Sequence, residues 1–301
     1  MHGWLVIDKP VGIGSTQVVG AVKRALREGG CAKVKVGHGG TLDPLASGVL
    51  PVAIGEATKL AGRMLDSDKV YEFTITFGTE TDTLDLEGEV VATSGKIPDW
   101  YDIEDVLVDF IGEIEQVPPA FSALKVDGKR AYDLARAGNA PVLAARKVTI
   151  HDIRYLGEGL DEGVRWAKLE AHVSKGTYIR SLARDIARAL GTVGHVAMLR
   201  RTKAGPFTLE QAISLDKLGE AAKARELELH LLPLTAGLDD IPALPVSPDQ
   251  AGALRQGRIL IGIAAQPGLY LAIDQDVPVA LVELSEDGLR PEIRVVRGFN
   301  L

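Results

Sequence analysis

The stretch KVYEFTITFG, Lys69–Gly78, decides the fold class because its apolar residues recur at every second position. Tyr71, Phe73, Ile75 and Phe77 share one side of an extended chain, which is the period of a half-buried β-strand. GEVVATSG, at 88–95, is predicted to be its hairpin partner. A sheet built around this strand is therefore expected.

Helices alternate irregularly with such strands. GWLVIDKP, at 3–10, predicts a short strand, and a helix capped by Ser15 or Thr16 follows it. TYIRSLARDIARALG, at 177–191, has the clearest helical spacing, and VRWAKLEAHV, at 164–173, is again a strand. Because the order is not strictly strand-helix-strand, an α+β fold is favoured over a doubly wound sheet.

A proline-rich stretch marks a change of organisation. LLPLTAGLDDIPALPVSPDQ, at 231–250, carries four prolines, which is typical of a domain edge. Short strand patterns follow it up to the end of the sequence. We therefore predict a large domain at 1–238 and a small β-rich domain at 239–301.

Composition limits the classes of function. The 301 residues are 46% hydrophobic and contain one cysteine, Cys31, so an internal disulfide is impossible. No run of about 18 apolar residues occurs, so no membrane span is expected. These features predict a cytoplasmic protein.

The net charge of −7 hides a basic region. Residues 174–203 hold seven Lys or Arg against one acidic residue, and 121–147 hold six against two, whereas 206–301 hold eight against fourteen. Such a distribution is compatible with a nucleic-acid partner, although a solvated basic face is the simpler interpretation of 121–147 alone.

Two loops carry candidate carboxylates. In GHGGTLDPLASGVLP, at 37–51, Asp43 precedes Pro44 and is pushed towards extended or turn geometry, as in a shaped loop or an ordinary turn. In TETDTLDLEG, at 79–88, Asp82 and Asp85 lie three residues apart, a spacing suited to a divalent cation or to loop capping.

Arg180 is the candidate counter-charge. It falls in the first turn of the predicted helix at 177–191, where the helix dipole disfavours a cation. A carboxylate partner, either Asp43 or Asp85, explains this placement, and a solvent-facing arginine on a basic helix is the alternative.

The sequence resembles the bacterial tRNA pseudouridine synthase B family over residues 3–205. Six segments in the same order carry the resemblance: GWLVIDKPVG at 3–12, VGHGGTLDPLASGVLPVAIGEATKL at 36–60, DSDKVYEFTITFGTETDTLDLEG at 66–88, QVPPAFSALKVDGKRAYDLARAG at 116–138, SKGTYIRSLARDI at 174–186 and HVAMLRRTKAGPF at 195–207. The resemblance implies a mixed, largely antiparallel sheet with flanking helices and a C-terminal PUA-like domain.

The family's active-site residues carry over individually. By this resemblance Asp43 is the catalytic aspartate, and Tyr71 stacks on the target base with a candidate role in proton transfer at C5. Arg180 matches the arginine that pairs with Asp43 and with Asp85.

The family's substrate contacts carry over next. His38 matches a residue that fills space in the T-loop, and Tyr178 and Leu199 match the lining of the uracil pocket. Residues 121–147 resemble a mobile loop that closes on the RNA. Weaker RNA contacts are implied for Lys59, Lys125, Arg200, Arg201 and Lys203.

The implied reaction converts uridine 55 in the tRNA T-loop to pseudouridine after base flipping. No redox change or net hydrolysis occurs, and motifs such as GxxxxGK[ST], GxGxxG after a strand and HExxH are absent, so no cofactor or metal is expected. The family precedent is a monomer acting on the T-arm stem-loop. The alternatives are a non-enzymatic tRNA-folding chaperone with the same surface and a metal-dependent phosphohydrolase using Asp82 and Asp85.

Overall fold

A computed structural model describes most of the chain, namely residues 1–122, 124–126, 128–138, 141, 143–161, 164–263, 265–285 and 291–301. At 125, 129, 130 and 133 it describes the backbone alone. The strands of this described part, in chain order, are β1 (Gly3–Lys9), β2 (Val36–His38), β3 (Ala46–Ile54), β4 (Lys69–Phe77), β5 (Thr79–Thr81), β6 (Val90–Thr93), β7 (Gly112–Gln116), β8 (Lys125–Val126), β9 (Lys129–Arg130), β10 (Arg146–Asp161), β11 (Val164–Val173), β12 (Gly194–Ala204), β13 (Phe207–Thr208), β14 (Leu232–Pro233), β15 (Ala243–Pro245), β16 (Leu260–Ile261), β17 (Gly268–Asp274), β18 (Val277–Ser285) and β19 (Glu292–Gly298).

The α-helices are fewer and flank the strands. They are α1 (Ser15–Glu28), α2 (Ala61–Asp66), α3 (Trp100–Leu107), α4 (Ala131–Arg136), α5 (Ile179–Ala189), α6 (Leu215–Ala224) and α7 (Pro248–Arg255). None of the described helices is long and apolar enough to cross a lipid bilayer.

The main sheet positions the candidate site. Among the described strands it runs in the order β14-β1-β3-β12-β4-β11-β10-β7, with β13 paired to β12 and β2 paired to β3. Its neighbours are antiparallel except β3 and β12, which run parallel through Leu199–Ala46 and Arg201–Gly48. Gly48 has φ +101°, and a Cβ there would collide with the Arg201 carbonyl oxygen. Only glycine therefore fits at this junction.

Two apolar clusters meet at the same junction. The predicted stripe of α5, which includes Leu182 and Ile186, is buried against β4 and β11. Helices α1 and α6 bury their apolar faces against β1 and β3. Tyr71 and Leu199 pack against both clusters. These two side chains therefore lie between the halves of the sheet.

The strand β4 confirms the alternation of its sequence, since Phe73, Ile75 and Phe77 are at most 4% exposed. The predicted hairpin partner is wrong. Strand β6 pairs with β5, whereas β4 lies between β11 and β12. Gly78 has φ +93°, which turns the chain out of the main sheet directly after β4.

The C-terminal region forms a second sheet in the order β15-β17-β18-β19-β16, the β-rich, PUA-like domain that was expected. Leu271, Leu281 and Phe299 of this region share an apolar cluster with Trp4 and Phe207 of the main sheet. The small sheet thus packs against the large domain. A module of this size needs such packing, because it buries little apolar surface by itself. The boundary between 238 and 239 stays a prediction.

Candidate active site

The loop that carries Asp43 is fixed from several sides. Ser15 Oγ accepts from the Leu42 N–H at 2.8 Å and donates to the Leu42 carbonyl at 3.0 Å. Lys9 Nζ donates to the Pro44 carbonyl at 3.3 Å, and the burial of this lysine lowers its pKa to about 8. Ser15 therefore anchors the loop instead of capping α1, whose N-cap is Gly14.

The packing and backbone conformation of the loop explain why glycines occur next to His38. Gly40 has φ +140° and faces the Arg201 guanidinium, and a Cβ on Gly39 would come within 2.6 Å of the Met64 Cβ. These two positions need glycine for the loop's own packing, independently of any approach by RNA.

Arg180 joins two carboxylates. Its Nη2 lies 2.9 Å from Asp43 Oδ2, and its Nη1 lies 3.3 Å from Asp85 Oδ2. The same nitrogens donate to the carbonyls of Thr83 at 2.8 Å and Phe121 at 2.9 Å. The side chain of Arg180 is 8% exposed, that of Asp85 8%, and that of Asp43 43%. Asp43 is thus the only one of these three side chains that is substantially exposed.

Asp85 is held in turn by its own loop. Its Oδ1 accepts from Thr83 Oγ1 at 2.6 Å and from the Glu87 N–H at 3.0 Å, across Leu84 with φ +64°. Asp82 accepts instead from the Glu89 N–H at 3.0 Å. Within the described residues the two aspartates do not form a metal-type cluster. The geometry therefore favours loop capping and an arginine partner over a divalent cation.

A cavity of about 540 Å³ opens beside Asp43. Its lining includes seven of the predicted residues, namely Asp43, Tyr71, Asp85, Tyr178, Arg180, Leu199 and Arg201. The Arg146 guanidinium carbon lies 4.7 Å from the Tyr178 ring centroid, in a cation–π arrangement. A cleft with aromatic walls, carboxylates and flanking cations suits a flat heterocycle attached to a sugar and phosphate.

Two buried cations, Arg201 and Lys69, form part of the wall of this cavity. Arg201 is 1% exposed and donates to the carbonyls of Val49 at 2.8 Å, Gly40 at 3.1 Å and Thr41 at 3.3 Å. Lys69 donates to the Met64 carbonyl at 2.8 Å, and burial, followed by the charge of Arg201, lowers its pKa to about 8. The expected phosphate contact of Arg201 is thus corrected to a structural role, because its guanidinium is directed at backbone oxygens of the Asp43 loop.

His38 lies on β2, outside the lining of the Asp43 cavity. Burial and then the Arg201 charge lower its pKa, and its buried Nδ1 has no hydrogen-bond partner among the described residues. The contact of His38 with the T-loop stays a prediction.

The other side chains predicted to contact RNA differ in whether they are already paired within the protein. Arg200 binds Asp8 through both nitrogens, at 2.8 and 3.1 Å, and Lys59 binds Glu56 and the Gly298 carbonyl. Lys203 is exposed. The side chain of Lys125 lies outside the described residues.

Helix α5 carries a basic stripe, formed by Arg180, Arg184 and Arg188 at every fourth position. These arginines are also largely engaged within the protein. Arg184 pairs with Asp185 at 2.8 Å, and Arg188 pairs with Glu80 at 2.8 Å. Sequence spacing revealed the stripe but not these partners, since the acidic residues come from another element or an adjacent position.

Sequence reasoning missed several contributors to the site. Gln116 accepts from the Tyr178 N–H at 2.8 Å, and the carbonyls of Thr83 and Phe121 hold Arg180. Contacts made by backbone carbonyls cannot be predicted from residue types, because every residue has a carbonyl. Arg146 carried a weak signal, as one of the six basic residues in 121–147.

Comparison with known proteins gives close relatives. The chain is 63% identical to tRNA pseudouridine synthase B of Novosphingobium aromaticivorans, covering 100% of this chain and 98% of the relative. It is 60% identical to the protein of the same name from Zymomonas mobilis, covering 100% and 96%.

Solved structures give the same result for the fold. A Cbf5-Nop10-Gar1 complex contains a chain that is 27% identical, with a TM-score of 0.72 and coverage of 99% of this chain and 85% of that one. An H/ACA RNP bound to a substrate RNA containing 2′-deoxyuridine contains another, at 25% identity, with a TM-score of 0.73 and the same coverage.

The sheet, its cleft and these likenesses define a pseudouridine synthase. Within that class the chain belongs to the TruB family of pseudouridylate synthases. The model of the family's N-terminal domain matches residues 24–179, and that of the tRNA pseudouridylate synthase B C-terminal domain matches 180–239. The protein is therefore an isomerase that converts uridine to pseudouridine in tRNA.

Proposed function

We propose that this chain isomerises the uridine at position 55 in the T-loop of tRNA, and that Asp43 acts at the ribose of that uridine. The observation that carries the proposal is the 2.9 Å contact between Arg180 and Asp43 at the wall of the cavity. A carboxylate held in this way at a cavity wall supports a role at the ribose of a nucleotide that enters the cavity.

The chemistry needs one carboxylate beside C1′. The N1–C1′ bond breaks, the uracil turns, and C5 bonds to C1′, after which C5 loses a proton and N1 carries one. Asp43 serves this sequence by attacking C1′, by stabilising an oxocarbenium-like species, or by taking a C2′ proton to form a glycal. All three routes require the Asp43 carboxylate to face the ribose, and its 2.9 Å contact with Arg180 orients it.

The walls of the cavity support base flipping. Extruding a stacked uridine costs a few kcal/mol, which stacking on aromatic and apolar side chains offsets. Tyr71 is the proposed stacking surface, since β4 holds it rigidly between two apolar clusters. Tyr178 and Leu199 complete the proposed uracil pocket.

The T-arm is the proposed RNA partner, read by shape and by phosphate and 2′-OH contacts. Lys203 and the side chains of Lys59 and Arg200 are the proposed phosphate contacts, the last two after exchange of their acidic partners. Lys125, in the segment expected to close on the RNA, completes this set. Binding is expected to weaken steeply with salt despite the net charge of −7.

The same proposal includes the cellular compartment, the oligomeric state and the domain organisation of the enzyme. We place the reaction in the cytoplasm, where tRNA is available, and assign it to a monomer. The family resemblance supports the monomer. Residues 1–238 are proposed as the catalytic domain and 239–301 as a PUA-like RNA-binding domain.

Asp43→Asn tests the proposal. Turnover on an unmodified T-arm stem-loop, followed by tritium release from C5, should fall by at least about 10⁴-fold, because the carboxylate is removed while the side-chain shape stays. Asp82→Asn is the matched control and should retain turnover. RNA binding should persist in both variants.

Three results would contradict the proposal. Turnover surviving in Asp43→Asn would mean that the loop only shapes the site. RNA binding without turnover in the wild type would favour the tRNA-folding chaperone. Loss of turnover on addition of a chelator, together with loss in Asp82→Asn, would favour a metal-dependent reaction.

A further inference from the structure

Three side chains of metal-ligating types come together at one end of the neighbouring strands β4, β11 and β10, away from Asp43. Asp68 directly precedes β4, His172 lies near the end of β11, and His151 lies near the start of β10. His172 is paired with Val70 across the β4–β11 ladder, which sets it beside the entry to β4. Three neighbouring strands thus contribute one ligand each.

An irregularity in the sheet brings His151 into this group. The ladder between β10 and β11 shifts register between Ile150 and Asp152, so His151 is the extra residue of a bulge. A bulge redirects the side chain that it displaces. The His151 and His172 ring centroids consequently lie 4.7 Å apart.

We propose that Asp68, His151 and His172 bind one transition-metal ion of the zinc type. His151 Nε2 lies 3.2 Å and His172 Nε2 3.9 Å from Asp68 Oδ2, and the three ligand atoms all lie within 4.8 Å of one another. A tetrahedral ion with bonds of about 2.0–2.1 Å holds its ligand atoms roughly 3.3 Å apart. Small side-chain rotations therefore convert the observed group into a binding site.

The ligand types define the class of ion. Two imidazoles and one carboxylate suit Zn²⁺, Co²⁺, Ni²⁺ or Cu²⁺, whereas Mg²⁺ and Ca²⁺ prefer an all-oxygen set. Three protein ligands leave a fourth position for water. Asp68 and His172 also line a second cavity of about 510 Å³, so solvent reaches that position.

The charged surroundings are mixed. Lys203 lines the same second cavity, Lys69 follows Asp68 in the chain, and Lys175 pairs with Asp66 at 3.0 Å. A phosphate site would need an excess of cations, but here a carboxylate stands at the centre of the group. The ligand atoms of two imidazoles and one carboxylate within 4.8 Å of one another instead match the donor set of a metal ion.

The ion would link the ends of β4, β10 and β11. Such a link stabilises the fold only when the metal is bound, because metal binding to the native state adds to its free energy of unfolding. The ligands lie outside the cavity of Asp43, so the ion has a structural role.

Zinc binding by tag-free, chelator-stripped protein tests the proposal. A Cys31→Ser background removes the free thiol. Competition with a chromophoric chelator should show one equivalent of Zn²⁺, and Co²⁺ should give the visible absorption of a low-symmetry site. In the double variant His151→Asn/His172→Asn the affinity should fall by more than the roughly 10–100-fold that loss of a ligand's hydrogen-bond partner costs. His230→Asn should bind as the background protein does.

Thermal melting gives the second measurement. Zn²⁺ should raise the melting temperature of the background protein and of His230→Asn, and leave that of the double variant unchanged. Asp68→Asn replaces the double variant if the latter does not fold without metal. Equal zinc binding in background and double variant, or no stoichiometric binding in either, would overturn the proposal.

Discussion

The cavity around Asp43 and the contact between the two sheets both use arginine–aspartate pairs, and they differ in burial. At the cavity, Arg180 is 8% exposed and lies between Asp43 and Asp85. Between the sheets, Arg63 Nη2 contacts Asp240 at 2.8 Å, but the two side chains are 31% and 64% exposed.

The same chemical pair therefore has two different consequences. A desolvated pair has a strict geometry, because removing one partner leaves the other charge buried. An exposed pair is screened by water and salt, and contributes about 0–1 kcal/mol. Contact distance alone does not separate the two cases, whereas exposure does.

The largest effect is expected from Arg180→Met. It leaves Asp85 buried without its counter-charge, so the free energy of unfolding should fall by about 3–5 kcal/mol, as measured by urea denaturation. Turnover should also be lost, because Asp43 is no longer oriented. Arg24→Met, an exposed position on α1, is the control.

A double variant sharpens this test. Adding Asp85→Asn to Arg180→Met removes the stranded charge and should restore most of the stability without restoring turnover. If stability stays as low as in Arg180→Met, the loss comes from the carbonyl contacts to Thr83 and Phe121. The comparison of buried and exposed pairs would then not explain it.

Arg201→Met should have the next largest effect. The carbonyls of Gly40, Thr41 and Val49 lose their donor. An unpaired buried polar group costs about 1–3 kcal/mol, part of which entering water recovers. We expect a loss of about 2–3 kcal/mol in unfolding free energy and a lower kcat, with an unchanged salt dependence of tRNA binding. A phosphate contact would instead reduce the salt slope by about one.

Much of this fold could be predicted from the sequence, because local periodicity reflects local burial. The alternation in β4 and the stripe of α5 are both seen in the structure. The partner of β4 could not be predicted, since pairing depends on contacts distant in sequence and on the turn at Gly78.

For the candidate site, the sequence indicated which residues take part, but it did not indicate how deeply each side chain is buried or which groups it contacts. The place of Arg180 in the first turn of its predicted helix, together with the family resemblance, predicted contacts with Asp43 and Asp85. The structure shows them at 2.9 and 3.3 Å. The burial of Arg201 could not be foreseen, because its acceptors are backbone oxygens of a loop about 160 residues away. The catalytic assignments themselves stay predictions.

His38 offers a smaller, pH-dependent test of burial near the cavity. Burial and the Arg201 charge lower its folded-state pKa below 6.5, so the unfolded chain binds the proton first as pH falls. The contribution of His38 to the stability of the fold is complete above pH 6.5 and is lost as the pH falls below that value. His38→Gln should therefore flatten the decline in melting temperature between about pH 7 and 5. An unchanged slope would mean that other groups control it.

Arg63→Ala should have the smallest effect and tests the other half of the comparison. Because Arg63 and Asp240 are exposed, a double-mutant cycle with Asp240→Ala should give a coupling energy of about 0.2–1 kcal/mol that shrinks with added salt. The small sheet should stay in place, since Leu271, Leu281 and Phe299 hold it through the shared apolar cluster. A coupling above about 2 kcal/mol, insensitive to salt, would show that this pair is desolvated and that exposure does not separate the two regions.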